Sequence, residues 1–253
     1  MPARGDLPDG APIWIDLGTD DVDAAIPFYT KLFGWEHVGF GEEFGGYGQF
    51  LHRGEPVAGV GPSMRPGGPS EWSVYLATAD LDAVSGQVTE HDGTLLIGPD
   101  DAAGQGRFLV ADDPVGGSVA FWEPHGHDGF ARVMEPGAPC WFELWTTDFD
   151  AATAFYRDAV GWRITLVPSD GSMRYATNDT QEAATAGVYD AAGEERTDRS
   201  SWLVYLGVAD VDAAAARAAE LGGTVLGEPT DSAFGRLVDV RDPVGAVLRL
   251  ITA

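Results

Sequence analysis

The chain of 253 residues carries 40 Asp and Glu against 15 Lys and Arg, which gives a formal net charge of −25. This charge argues against nucleic acid and anionic membranes as partners, while 44% hydrophobic residues argue against a disordered acidic chain. No apolar run approaches the roughly 20 residues of a membrane span, and no basic segment precedes an apolar stretch at the N-terminus, so we expect a cytoplasmic protein.

The first predicted elements are a strand and a helix. Apolar and polar residues alternate from Ile13 to Leu17, and Ala24 to Phe33 has the apolar spacing of a helix that Gly34 ends. Asp20, Asp21 and Asp23 between them supply a helix cap and first-turn carboxylates. We predict the same capping role for residues 210–212, because both clusters lack the glycine and the distal glutamate of a calcium loop.

Short strands follow this helix, and the whole pattern then recurs. Runs at 35–40, 48–52 and 57–61 are separated by glycine and charged turns, which is typical of three antiparallel strands. The same order is predicted for a strand at 72–76, a helix at 81–91 and strands at 94–97, 107–111 and 118–122. Helices at 151–159 and 211–221 continue it, so we predict a β-α-β-β-β unit that occurs four times. Tight Asp-Pro-Val-Gly turns at 113–116 and 242–245 connect the last two strands of the second and fourth units.

An internal repeat sets the domain organisation. Residues 12–35 and 139–162 are identical at 12 of 24 aligned positions without a gap, and residues 71–83 recur as 201–213. The repeat predicts two homologous domains at 11–125 and 138–253, joined by a Pro/Gly-rich linker at 126–137.

These residues resemble a known superfamily. A strand followed by Asp-x-Asp-Ala-Ala-x-x-Phe-Tyr and Gly-Trp, with Asp-Pro-x-Gly before a last strand, is similar to the vicinal oxygen chelate superfamily of glyoxalase I, bleomycin-resistance proteins and extradiol dioxygenases. Within it, the chain is most similar to two-domain glyoxalase-like proteins of actinobacteria that are labelled hydroxylases. The resemblance implies an α+β fold of tandem glyoxalase-like domains, each made of two βαβββ modules that form an open, cup-shaped barrel.

The resemblance also implies where a metal would be held. Aligned on the repeated motifs, the four ligand positions of each half fall on residues that do not supply the imidazole and carboxylate ligands of zinc or iron sites. A single cysteine, Cys140, also argues against an internal disulfide and a thiolate site. We therefore expect no metal and no other cofactor. The aligned positions are Trp14, Gly59, Ser73 and Ala120 in the first half and Trp141, Gly187, Leu203 and Arg249 in the second.

Residues two apart on a strand share a face, so these positions also predict what lines the cups. The first cup would be an aromatic box with one carboxylate, and the second would hold an acid beside an arginine that neutralises it. The expected ligand-binding residues are Trp14, Gly59, Trp122, Trp141, Glu143, Tyr205 and Arg249, beside Asp16, Ser73 and Tyr75. As alternatives, the tryptophans are ordinary core residues, and Asp16 is a cap or a bridge to Arg107.

Three functions remain open. The protein could bind an aromatic or polycyclic organic molecule in a metal-free cup, which we favour, because ring faces supply stacking and cation-π attraction. Alternatively, it is a metal-independent lyase, isomerase or hydroxylase-type enzyme in which Asp16 is the general base and Tyr75 or Ser73 steadies an oxyanion. A rigid interaction protein is the third. In each case we expect a monomer or a homodimer that binds neither nucleic acid nor membrane.

Overall fold

The computed structural model describes residues 7–65, 67–169, 171, 173–194 and 199–253. The first half contains two βαβββ modules, as predicted. The first module is β1 (Pro12–Gly18), α1 (Val22–Phe33), β2 (Glu36–Gly39), β3 (Gly48–His52) and β4 (Glu55–Gly61), with a short 3-10 turn at Glu42–Phe44. The second is β5 (Glu71–Ala77), α2 (Leu81–Glu90), β6 (Thr94–Asp101), β7 (Gly106–Asp112) and β8 (Ser118–Pro124).

The second half repeats this order. Its first module is β9 (Pro139–Thr146), α3 (Phe149–Asp158), β10 (Thr165–Leu166), β11 (Tyr175–Thr177) and β12 (Ala186–Asp190). The last module is β13 (Ser201–Val208), α4 (Val211–Glu220), β14 (Thr224–Ser232), β15 (Gly235–Arg241) and β16 (Val247–Thr252). The predicted α+β fold with four βαβββ modules is therefore confirmed. None of the helices described here is long and apolar enough to cross a membrane.

Each half forms one mixed sheet of eight strands. The strand orders are β2-β3-β4-β1-β5-β8-β7-β6 and β10-β11-β12-β9-β13-β16-β15-β14. The last strand of each module runs parallel to its first strand, whereas the neighbouring pairs β2–β3, β3–β4, β6–β7 and β7–β8 are antiparallel. This topology brings the first and last strands of each module side by side.

Aspartates begin all four α-helices. Asp21, Asp80, Asp148 and Asp210 are the N-caps, and each carboxylate accepts a hydrogen bond from the backbone N–H three residues later. Such a bond satisfies one of the donors that a helix N-terminus leaves without a partner. The capping role predicted for the acidic clusters at 20–23 and 210–212 is confirmed.

The described chain divides into two compact units that are interleaved along the sequence. One contains residues up to Ile13 together with Val74–Gly129 and Phe142–Trp202, and the other contains Trp14–Ser73, Phe130–Trp141 and Leu203–Ala253. Each unit thus contains most of two modules from different halves. The predicted domain boundaries at 125 and 138 stay a prediction.

A buried tyrosine and a buried aspartate meet inside each unit. The Tyr29 hydroxyl of α1 donates to Asp242 over 2.7 Å, and the Tyr156 hydroxyl of α3 donates to Asp113 over 3.4 Å. Both aspartates begin the Asp-Pro-Val-Gly turns, where Gly116 and Gly245 have φ of 86° and 105°. Each aspartate therefore orders its own turn and bonds to a helix of another module.

The pKa of Asp113 makes a testable contribution to stability. Burial raises this pKa from 3.8 to about 6, against the hydrogen bonds that Oδ1 accepts from the backbone N–H groups of Val115 and Gly117. The folded state then binds more protons than the unfolded state between these values, so the stabilising contribution of the group is lost as pH rises through them. Asp113→Asn keeps an acceptor oxygen and removes the titration.

We expect the unfolding free energy of the wild type, relative to Asp113→Asn, to fall by on the order of 2 kcal/mol from pH 4 to pH 7. Urea denaturation at a series of pH values measures this difference. The exposed Asp100→Asn variant is the control for the change in net charge. A difference that stays constant over the range would contradict titration of Asp113 there.

Candidate functional site

Three side chains meet at the centre of the first module. Alternation along β1 places Trp14 and Asp16 on one face, and the Trp14 indole Nε1 donates to Asp16 Oδ1 over 2.8 Å. Tyr47 directly precedes β3. Its hydroxyl donates to the same oxygen over 2.8 Å and lies 3.2 Å from Trp14 Nε1. We call Trp14, Asp16, Tyr47 and Gly59 the Asp16 cluster.

Gly59 leaves the space that this cluster occupies. The parallel register of β1 and β4 places Gly59 directly opposite Asp16. A Cβ at position 59 would lie less than 3.0 Å from both Asp16 Oδ1 and the Tyr47 hydroxyl, a distance that real Cβ atoms essentially never show. Glycine at position 59 thus allows the carboxylate and the phenol to approach the backbone of β4.

Electrostatics fix the roles of the two oxygen-bearing side chains. Burial, followed by the negative charge of Asp16, raises the pKa of Tyr47 well above its ordinary value of 10. The phenol therefore stays protonated at neutral pH and acts as a donor. Hydrogen bonds from Tyr47 and Trp14 stabilise negative charge on Asp16.

Further aromatic rings continue from the cluster to the surface. The ring of Phe40 stacks on Tyr47 at a centroid distance of 6.1 Å, and Phe44 lies 6.0 Å from Phe40. Phe40 is 38% exposed and Phe44 is 47% exposed, although both are large apolar residues. Trp14 contacts Phe130 at 5.6 Å. We call Phe40 and Phe44 the aromatic rim.

The second half contains a related arrangement. Glu143 is buried, accepts a 2.7 Å hydrogen bond from Trp145 Nε1, and lies opposite Gly187 in the parallel register of β9 and β12. A Cβ at Gly187 would lie less than 3.0 Å from the Tyr175 hydroxyl. The acid, the glycine and the tyrosine therefore recur together in both halves.

Two of the other predicted site residues lie together in the second module. The rings of Tyr75 on β5 and Trp122 on β8 are both buried and meet edge to face at 6.5 Å. Trp122 Nε1 donates to the His127 carbonyl over 2.8 Å, which fixes the indole. Ser73 is half-buried on β5, and Trp141 is half-buried on β9. The parts assigned to these residues in binding or catalysis stay predictions.

Tyr205 and Arg249 lie together in the fourth module. Arg249 Nη1 donates to the Tyr205 hydroxyl over 2.6 Å, and its guanidinium lies 5.0 Å from the centre of that ring. The same guanidinium forms a two-pronged ion pair with buried Asp239 over 2.5 and 3.1 Å. Asp239, which the sequence did not suggest, therefore balances the charge of Arg249. The expected pairing of Arg249 with Glu143 stays a prediction.

In one alternative interpretation Asp16 forms a bridge to Arg107, but the ion pairs of Arg107 are with other carboxylates. Its guanidinium bonds to Asp82 over 2.8 and 3.1 Å and to Glu123 over 3.5 Å. These carboxylates belong to the second module, where Glu123 also accepts a hydrogen bond from the Leu81 N–H at the start of α2. Glu123 therefore supports the start of this helix.

The side chains do not fit the metal that the fold implies. In the described parts of the chain, no three His, Cys, Asp or Glu residues are grouped so that they could hold a metal ion. At Gly59 and Gly187, two of the aligned ligand positions, neighbouring side chains fill the space that any ligand side chain would need. The donor set at these positions therefore supports no metal-dependent step.

Sequence reasoning missed Tyr47 and the aromatic rim. These residues lie between β2 and β3, where Phe40 was predicted to end a strand and the segment with Phe44 and Tyr47 has neither strand nor helix periodicity. One signal was present, because Tyr47 precedes Gly59 by 12 residues and Tyr175 precedes Gly187 by the same 12. Extending the repeat beyond its first 24 residues would have identified the tyrosines.

Comparison with known proteins identifies related chains. The family model described as Glyoxalase/Bleomycin resistance protein/Dioxygenase superfamily matches residues 12–121 and 139–250. The anthracycline biosynthesis protein DauV of Streptomyces sp. (strain C5) is 38% identical over 94% of this chain and 91% of its own. CFP32 of Mycobacterium tuberculosis (strain CDC 1551 / Oshkosh), provisionally named a glyoxylase, is 36% identical over 99% and 98%.

Solved structures share the fold at low sequence identity. The Mn(II)-bound glyoxalase from Novosphingobium aromaticivorans has a TM-score of 0.65 and is 16% identical over 97% of this chain and 83% of that one. The 2,2',3-trihydroxybiphenyl 1,2-dioxygenase of Sphingomonas wittichii strain RW1 has the same TM-score, 13% identity, and coverage of 97% and 91%. At this identity, the likeness concerns the fold alone.

Proposed function

The chain belongs to the Glyoxalase/Bleomycin resistance protein/Dioxygenase superfamily, and from that membership we propose that it binds a planar, polycyclic aromatic molecule at the Asp16 cluster. One observation carries the proposal. A carboxylate that two donors hold over a glycine bonds to Tyr47, on which Phe40 stacks, and Phe40 and its neighbour Phe44 are exposed.

The physical chemistry of the cluster favours this ligand. Phe40 and Phe44 keep large apolar surfaces in water, and covering them with a flat molecule would gain stacking and hydrophobic free energy. Asp16 supplies one directional acceptor for a hydroxyl or an amine of the ligand. The net charge of −25 favours a neutral or cationic molecule over an anion at this site.

The relatives suggest the class of molecule. Two Streptomyces proteins that are 38% and 37% identical to this chain are named for anthracycline biosynthesis. Their names support a fused-ring aromatic compound of the anthracycline class as the ligand. Such a compound combines flat rings with hydroxyl groups, which are the features that the aromatic rim and Asp16 would recognise.

The cluster supports an anchoring role for Asp16 better than a role as general base. A general base must take a proton in the transition state, and donors that already stabilise its negative charge oppose this. Tyr47 and Trp14 both donate to Oδ1. The same donors hold the carboxylate in a fixed position, as an anchor requires.

We expect Asp16→Asn to weaken binding of an amine-bearing anthracycline about tenfold, because a charge-assisted hydrogen bond becomes a neutral one. Isothermal titration with an anthracycline glycoside, and with its aglycone (the same compound without the sugar), measures the change in affinity. Mass spectrometry of the recovered compound detects any chemical conversion. Asp92→Asn is the matched control, since Asp92 is exposed and its φ of 63° suits asparagine equally well.

The outcomes separate the two functions. Weaker binding by Asp16→Asn, with the compound recovered unchanged from the wild type, supports the proposal. Conversion of the compound by the wild type that Asp16→Asn abolishes, while binding persists, would replace the binder with an enzyme that uses Asp16 as a base. Equal affinity in all three proteins would place the ligand elsewhere.

A further inference from the structure

A cleft of about 600 Å³ lies in the third module, between α3 and the segment that leads into β10 and β11. We call it the arginine cleft, after Arg157, Arg163 and Arg174 in its lining. We propose that it binds an organic anion with a flat apolar body, such as an aromatic carboxylate. This proposal is independent of the Asp16 cluster, which belongs to the other compact unit.

The size and lining of the cleft suit a small organic molecule. Its volume lies within the roughly 300–1,000 Å³ typical of small-molecule sites. Leu166, which is 63% exposed, and half-buried Ile164 contribute apolar surface, whereas Phe149 lines the cleft but is itself buried. The Arg174 guanidinium lies 4.2 Å from the centre of the Phe149 ring and offers a second flat surface. An aromatic body would therefore find both apolar and planar partners.

The positive charges are unusual for this chain. Three of only 15 Lys and Arg residues line this one cleft, in a protein of net charge −25. The internal repeat places Thr30, Glu36 and Gly46 at the equivalent positions of the first half. The equivalent module of the first half therefore has none of the three cations, and the repeat does not account for Arg157 and Arg163.

Each arginine already has a carboxylate partner. Arg157 bonds to Asp158 over 2.6 and 2.8 Å, Arg163 pairs with Asp179, and Arg174 pairs with Asp150. All three arginine side chains are about half exposed or more, so these pairs contribute little stability and a bound carboxylate would compete at low cost. A guanidinium has five N–H donors, which allows it to bind a second acceptor.

Arg174 has a structural explanation that the other two lack. It pairs with an acid in the first turn of α3, just as Arg107 pairs with Asp82 of α2 and Arg236 pairs with Asp212 of α4. This repeated pairing fixes strands to helices in three modules. The anion site is therefore assigned to Arg157 and Arg163, with Arg174 as the stacking surface.

Isothermal titration of the full chain with 2-naphthoate tests the assignment, with 2-naphthylmethanol as the neutral isostere. We expect 2-naphthoate to bind about tenfold more tightly than the alcohol, and Arg157→Gln and Arg163→Gln each to remove most of that difference. Arg217→Gln is the matched control, because Arg217 is also a helical arginine in an exposed ion pair, with Glu220.

Three results would overturn the proposal. They are no detectable 2-naphthoate binding to the wild type, affinity unchanged in both cleft variants, and equal weakening by Arg217→Gln. Circular dichroism of every variant shows that the chain is folded, and exposed Arg163 is the safer of the two substitutions. Selective loss in the Arg157 and Arg163 variants, with Arg217→Gln unaffected, supports the site.

Discussion

We expect Gly59→Ala to lower affinity for an anthracycline on the order of a hundredfold, the largest effect of any single substitution in the proposed site. The new methyl group would need the space of Asp16 Oδ1 and the Tyr47 hydroxyl at the same time. Both side chains must move away from β4, which breaks the hydrogen bonds among Trp14, Asp16 and Tyr47. The anchor and the ring that supports Phe40 are then lost together.

Stability gives a second readout of the same substitution, independent of any ligand. Overpacking at a buried position costs about 1–3 kcal/mol of unfolding free energy. Gly18→Ala is the control, because Gly18 lies on β1 and a Cβ there would make ordinary contacts of 3.6 Å with Ser63 and 3.9 Å with Glu71. If Gly59→Ala keeps wild-type stability and affinity, the cluster is not rigid and cannot be the proposed anchor.

Local patterns predicted the elements and much of their orientation. Alternation on β1 placed Trp14 beside Asp16, and the hydrogen bond between them confirms that they share a face. The acidic residues before the helices were predicted as caps, and each N-cap aspartate accepts the expected backbone N–H. These predictions succeeded because the interactions span only two or three residues.

Contacts between modules that are distant in the chain could not be predicted from the sequence. Each helix buries one face, but periodicity does not say against which partner. In one compact unit Phe28 of α1 lies against Gly223, and in the other Phe155 of α3 lies against Gly93, because a Cβ at either glycine would come within 3.0 Å of the ring. The repeat divides the chain at its middle, whereas these contacts join modules from different halves.

Tyr29 illustrates the energetic weight of such distant contacts. Its ring is fully buried among Phe28, Trp35, Phe50 and Trp72. We expect Tyr29→Ala to lower the unfolding free energy by about 3–5 kcal/mol, the usual cost of truncating a buried aromatic residue. Because small domains are stable by only roughly 5–15 kcal/mol, urea denaturation should show a large shift of the midpoint.

Tyr29→Phe separates the hydroxyl from the ring. The ring packing remains, but buried Asp242 loses the donor 2.7 Å away, so we expect a loss of about 1–3 kcal/mol at pH 7. Tyr189→Phe is the control, because that hydroxyl bonds to exposed Glu194 over 3.1 Å and its removal should cost less than about 0.5 kcal/mol. Equal effects of the two substitutions would contradict a special role for the Tyr29 hydroxyl.

The pH dependence of Tyr29→Phe gives the sharpest check of this contact. Burial raises the pKa of Asp242, whereas the hydrogen bond from Tyr29 lowers that pKa. Without the hydroxyl, the pKa of Asp242 should rise further, so the folded variant retains its proton to a higher pH than the wild type. As pH rises, the unfolding free energy of the variant therefore falls over a wider pH range than that of the wild type. The cost of the substitution should therefore be smallest in acid, where Asp242 is protonated in both proteins, and largest at neutral pH.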